Sequence, residues 1–89
     1  MILVVTEYGE LQQEPRPATA LKQFLEHSLA DAGYSASLYI TRTRRGDRFL
    51  VSSVRHSGKL LKERADWERF EALLKVFVEQ LGAKYSLQD

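Results

Sequence analysis

The chain has 89 residues, of which 44% are hydrophobic and 28% charged, and its formal net charge is +1 at pH 7. This length suits one small domain, and the composition excludes a disordered tail, a collagen-like repeat and a coiled-coil rod. Because the chain has no cysteine, disulfides, thiolate metal sites and thiol nucleophiles are excluded as well.

The first two predicted elements are a strand over residues 2–8 and a helix over residues 17–32. Ile2 to Val5 is a continuous apolar run, which is typical of a central strand. Pro17 suits the first turn of the helix and Gly33 suits its C-terminal cap. The apolar residues of one helical face recur at the expected spacing: Leu21, Phe24, Leu25, Leu29 and Ala32.

Residues 35–44 and 48–55 are predicted to form a β-hairpin around a three-residue turn, Arg45-Gly46-Asp47. In that register Arg44 opposes Arg48. Leu38, Ile40, Leu50 and Val54 then face the helices, and the other face carries Tyr39, Thr41, Thr43, Phe49, Val51, Ser53 and Arg55. A two-residue turn would shift the pairing by one residue and move Phe49 to the opposite face.

A second helix is predicted over residues 66–81, with Asp66 as its N-cap. One face of this helix is apolar through Trp67, Phe70, Leu74, Phe77, Val78 and Leu81. Residues 83–87 have the composition of a short last strand.

This order of elements, βαββαβ, is the split βαβ pattern of the ferredoxin-like fold. It predicts an α+β two-layer sandwich over residues 1–89, in which two helices cover one face of an antiparallel sheet. The first and third strands would then be central, and the second and fourth would form the edges. If residues 83–87 are only a tail, the fold becomes a three-stranded βαββα sandwich.

Charge is distributed unevenly along the chain. Residues 35–64 hold eight basic and two acidic side chains, a sum of +6, whereas residues 1–34 sum to −3 and residues 65–89 to −2. Arg42, Arg44, Arg45 and Arg48 crowd the hairpin tip. Like charges across a hairpin repel each other, and the planar guanidinium group suits phosphate or carboxylate ligands. An external anion would relieve the repulsion.

These features favour a non-catalytic binding or regulatory domain that contacts a polyanion, with nucleic acid as the leading partner. Four arginines, Arg42, Arg44, Arg45 and Arg48, would neutralise phosphates. Arg55, Tyr39 and Phe49 would extend the contact across the open sheet face.

Two other interpretations of this surface stay open. The arginine tip can be a solvated loop that keeps an edge strand from pairing with other chains. Alternatively, the chain is a protein-interaction module, either a homodimer through the open sheet face or a small regulator that docks on an acidic protein surface.

The sequence predicts no catalytic site, metal site or cofactor. His27 and His56 are the two histidines, and we interpret neither as a metal ligand. The apolar run at Met1 to Val5 is shorter than the core of a signal peptide, and no window approaches the ~20 apolar residues of a membrane span. We therefore expect a cytoplasmic protein without a membrane partner.

Overall fold

A computed structural model describes residues 1–88, and Asp89, the last residue of the predicted domain, lies outside them. A short 3₁₀ helix, Gly9–Gln13, connects the first strand to the first helix. In chain order the strands and the two longer helices are β1 (Ile2–Glu7), α1 (Pro17–Asp31), β2 (Tyr34–Thr43), β3 (Gly46–His56), β4 (Lys59–Leu60), α2 (Arg64–Gln80) and β5 (Lys84–Gln88).

The strands form one antiparallel sheet in the order β2-β3-β1-β5, and β4 pairs with the end of β3. Both helices pack on the sheet, which makes the molecule an α+β two-layer sandwich and confirms the predicted fold class. The apolar strands β1 and β3 are central, as expected, because a central strand is covered by neighbours on both sides. The last strand is present, one residue later than predicted.

The core lies between the helices and one face of the sheet. Apolar residues at helical spacing on each helix meet alternate residues of β1 and β3, and all of these side chains are fully buried: Leu21, Leu25 and Leu29 of α1, Phe70, Leu74 and Val78 of α2, and Leu3, Val5 and Phe49 of the sheet. This burial of apolar surface is the main force that holds the two layers together.

Helix α2 begins at Arg64, two residues before the predicted start, so the predicted N-cap role of Asp66 is wrong. Asp66 lies in the first turn instead and forms an ion pair with Arg69. A carboxylate in the first turn still interacts favourably with the positive end of the helix dipole. Neither helix within residues 1–88 is long and apolar enough to cross a membrane.

The predicted three-residue hairpin turn is also wrong. Thr43 pairs with Gly46, so Arg44 and Arg45 alone form the loop, and Arg48 lies opposite Thr41 instead of Arg44. The Thr43 hydroxyl donates to the Gly46 carbonyl oxygen at 2.5 Å and accepts the Arg45 N–H at 3.3 Å. These bonds within the turn stabilise the shorter loop, as Thr side chains often do in turns.

This register moves Phe49 and Val51 to the helix side and Leu50 to the other side, the reverse of the prediction. Val54 nevertheless lies in the core as predicted. The reason is a β-bulge, because the pairing with β2 shifts by one residue near Ser53, whose φ is 53°. A bulge inserts one extra residue and so reverses the alternation of the side chains beyond it.

Candidate functional site

The two helices leave one side of the sheet uncovered, and we call this side the open face. The strand register places Tyr39, Leu50 and Ile2 in one row across β2, β3 and β1. Thr41, Arg48 and Val4 form the next row toward the hairpin tip. Tyr39 and Arg48 are therefore diagonal neighbours, a separation that long side chains span.

Three arginines stand together at the hairpin end of the open face. Arg44, Arg45 and Arg48, which we call the arginine cluster, line a shallow depression of about 390 Å³ together with Val4, Thr43 and Gln88. A second depression of about 210 Å³ adjoins it and is lined by Ile2, Thr41, Arg48 and Leu50. Since Arg48 borders both depressions, the cationic end and the apolar centre of the open face form one continuous surface.

No carboxylate within residues 1–88 neutralises the arginine cluster. The described ion pairs join His27 to Asp31, Arg69 to Asp66, Lys75 to Glu71 and Lys84 to Glu7. All three guanidinium groups belong to residues that are exposed to solvent. Three adjacent positive charges repel each other in the folded protein, and a bound anion would remove that repulsion.

Arg42 does not belong to this cluster. It lies opposite Asp47, on the face of the hairpin that looks toward the helices. There the buried Tyr8 hydroxyl donates to Oδ2 of Asp47. Burial raises the pKa of Tyr8, and the hydrogen bond and the charge of Asp47 raise it further, while the nearby charge of Arg42 lowers it. The sequence grouped Arg42 with its neighbours along the chain, but alternation along β2 separates them.

The predicted aromatic pair on the open face is not present, because Phe49 is fully buried in the core. Tyr39 lies on the open face as predicted, and 63% of its surface is exposed. Leu50, which the prediction placed in the core, is 47% exposed beside it. The length of the turn decides whether Phe49 or Leu50 faces the helices. Residue propensities alone do not determine that length.

Arg55 lies on the open face but far from the arginine cluster. It is seven positions along β3 from Arg48, a distance of roughly 20 Å. Its Nη1 donates to the Gly58 carbonyl oxygen at 3.3 Å. Its partner on β4, Leu60, is 46% exposed and adds an apolar group at this end. The structure therefore does not bring Arg55 together with the hairpin arginines.

A depression of about 530 Å³, larger than the two on the open face, lies at the start of α2. Met1, Arg64, Trp67, Glu68 and Glu71 line it, so it mixes one basic with two acidic side chains and has no single charge character. Within residues 1–88, no three side chains of His, Cys, Asp or Glu are grouped so that they would hold a metal ion.

The sequence matches no protein-family model, and the chain has no significant similarity to a curated protein or to a solved structure. The geometry of the open face therefore carries the functional argument.

Proposed function

We propose that this protein is a non-catalytic domain that binds single-stranded nucleic acid on its open face. The arginine cluster contacts phosphates, and Tyr39 stacks on an unpaired base. The observation that carries the proposal is that Arg48, whose guanidinium has no carboxylate partner within residues 1–88, is the diagonal neighbour of the exposed Tyr39 ring.

A single strand suits this surface better than a duplex. The open face is a sheet surface with one exposed aromatic ring and two shallow depressions, and unpaired bases can lie flat on such a platform. Duplex DNA is read by a helix or ribbon that enters the major groove. The hairpin loop is only two residues long, so little of it projects beyond the sheet.

A titration of fluorescently labelled oligonucleotides tests the proposal. We expect a single-stranded oligonucleotide to bind more tightly than a duplex of the same length. The logarithm of the binding constant should fall with the logarithm of salt concentration at a slope of about −2 to −3, as expected for three or four phosphate contacts. Undetectable binding at low salt, or a slope near zero, would overturn the proposal.

Two sets of variants locate the contact. Replacing Arg44, Arg45 and Arg48 together by Gln should weaken binding by about 10- to 100-fold, because three phosphate contacts are lost. Arg42→Gln is the matched control, since Arg42 belongs to the same hairpin but faces the other way. Tyr39→Ala should weaken binding by about 1–3 kcal/mol with the salt slope unchanged. Equal effects of the control and the triple variant would contradict this site.

A second candidate function is docking on an acidic protein partner through the same surface. The exposure of Leu50 and Leu60 favours it, because a nucleic acid backbone makes little use of aliphatic side chains. The arginine cluster would repel an identical patch, so an acidic partner fits this face better than a second copy does. A polypeptide that stays bound after nuclease treatment, and is lost on both Leu50→Ser and the triple arginine substitution, would favour this function.

A further inference from the structure

The backbone of β2 has unused hydrogen-bonding groups along its outer side. Val51 donates its N–H to the Met1 carbonyl oxygen at 2.9 Å, so its backbone groups point away from β2. Its partner Leu38 therefore directs its own N–H and C=O away from β3, and strand alternation extends this to Ile40 and Arg42. None of these groups bonds to another element within residues 1–88.

The two edges of the sheet differ in how well they are protected. β5 is five residues long and begins with Lys84, whose ammonium group pairs with Glu7 at 2.9 Å. β2 is ten residues long, has no proline, and has Arg42 near one end as its only charge. A long and nearly uncharged edge is the template on which another strand adds.

We propose that β2 pairs antiparallel with β2 of a second copy of this chain, about a two-fold axis at Leu38. Ala36 then lies opposite Ile40 of the second copy, and Tyr34 opposite its Arg42. The two-fold axis is perpendicular to the sheet, so the sheets of the two copies become continuous and their open faces lie on the same side. This inference does not depend on nucleic-acid binding.

Charge and apolar surface explain why the occupant is a second copy. The arginine cluster follows the C-terminal end of β2, so antiparallel pairing places the two clusters at opposite ends of the shared strand pair, where they do not repel each other. The central residues around the axis are the apolar ones. Ile40 is half-buried in the single chain, and the second strand covers more of it, while the Tyr39 ring stays on the open face.

Sedimentation of the chain in buffer free of nucleic acid tests the proposal. We expect the wild-type protein to approach twice the 10.2 kDa chain mass at micromolar concentration, with little dependence on salt. Ile40→Pro removes an outward-pointing N–H that has no partner within residues 1–88. An edge strand tolerates proline at such a position, so the single chain should still fold. It should weaken association by about tenfold or more, because two ladder bonds to the second copy are lost.

Leu87→Pro is the matched control on the other edge. Leu87 pairs with Leu3, which bonds toward β3, so the N–H of Leu87 also points outward, and its side chain is likewise half-buried. Association should be unchanged in this variant. The proposal is overturned if the wild type is monomeric, or if both proline variants lose association equally. It is also overturned by a dimer that survives Ile40→Pro and dissociates with Leu50→Arg, since that result would place the contact on the open face.

Disulfide trapping gives a second measurement in case Ile40→Pro fails to fold. Since the chain has no cysteine, the double variant Ser37→Cys, Tyr39→Cys supplies two thiols that face their counterparts across the proposed axis. The control is Ser86→Cys, Gln88→Cys on β5. Oxidation should give a covalent dimer of the β2 variant and leave the β5 variant monomeric. The absence of a β2 cross-link, or equal cross-linking of both, would overturn the proposal.

Discussion

Phe49 and Leu50 are neighbours on β3, yet one is fully buried and the other is 47% exposed. They represent the two faces of the same sheet. The helix face is closed by apolar side chains that both helices contribute. The open face combines exposed apolar groups with an arginine cluster that no described carboxylate neutralises. Burial in the core explains the composition of the helix face, and for the open face we propose the bound ligand described above.

The largest expected effect tests this assignment of faces directly. Phe49→Ala removes a fully buried ring from the centre of the core and should lower the free energy of unfolding by about 3–5 kcal/mol. Leu50→Ala should change it by less than about 0.5 kcal/mol, because Leu50 lies on the open face, outside the core cluster of the described residues. Urea denaturation of both variants measures the two values. If Leu50→Ala were the more destabilising, the hairpin register would be wrong.

Gly46 lies close to the backbone of β1. A side chain at this position should push the hairpin away from β1 and so disturb the packing on both faces of the sheet. Its φ is 129°, and an added Cβ would lie 2.7 Å from the backbone oxygen of Val5. Gly46→Ala should therefore cost about 2–3 kcal/mol of stability. Gly58→Ala is the control, since Gly58 also has a positive φ, 81°, but has open space around it, and it should cost about 1 kcal/mol. Thermal denaturation compares them, and equal losses would show that contact with Val5 is unimportant.

The hydrogen bond between Tyr8 and Asp47 connects the tip of the hairpin to the helix side of the sheet. Tyr8→Phe leaves the half-buried Asp47 carboxylate without this donor and should lower stability by about 1–2 kcal/mol. Binding of an oligonucleotide to the open face should change little when measured on the folded variant, because Tyr8 lies on the opposite side. A loss of binding as large as that of the triple arginine variant would contradict the separation of the two faces.

The smallest effect is a dependence of stability on pH. Burial, helped by a 2.7 Å hydrogen bond to Glu79, raises the pKa of Tyr85 to about 12 from its ordinary value of 10.0. The unfolded chain therefore releases this proton at lower pH than the folded one. The stabilisation is complete below pH 10 and is lost as the pH rises toward 12.

The pKa of Tyr8 is raised as well, so the double variant Tyr8→Phe, Tyr85→Phe should lose less stability than the wild type over the same pH range. Urea denaturation series across that range measure the slopes. Parallel slopes would show that neither hydroxyl is coupled to folding.

The fold could be predicted because its signals are local. The helical spacing of Leu21, Leu25 and Leu29 and the apolar run in β1 each depend on residues close together in the chain, and their order limits the topology. The candidate site was harder to predict. Its arginines were visible as a charge anomaly, but the positions of Phe49 and Arg48 depend on a pairing register that a single residue of loop length reverses.

By itself, the sequence determined the order of the six main elements, but not β4 or the 3₁₀ helix. It also determined the two central strands, the buried faces of both helices and the concentration of positive charge at one hairpin. The tertiary structure decided which side chains share a face. It did so through Gly46, which approaches the backbone of β1, and through the bulge at Ser53, which reverses the alternation of β3. Strand alternation has a period of two residues, so the pairing register of β3 decides whether Arg48 lies on the same face as Tyr39 or on the opposite one.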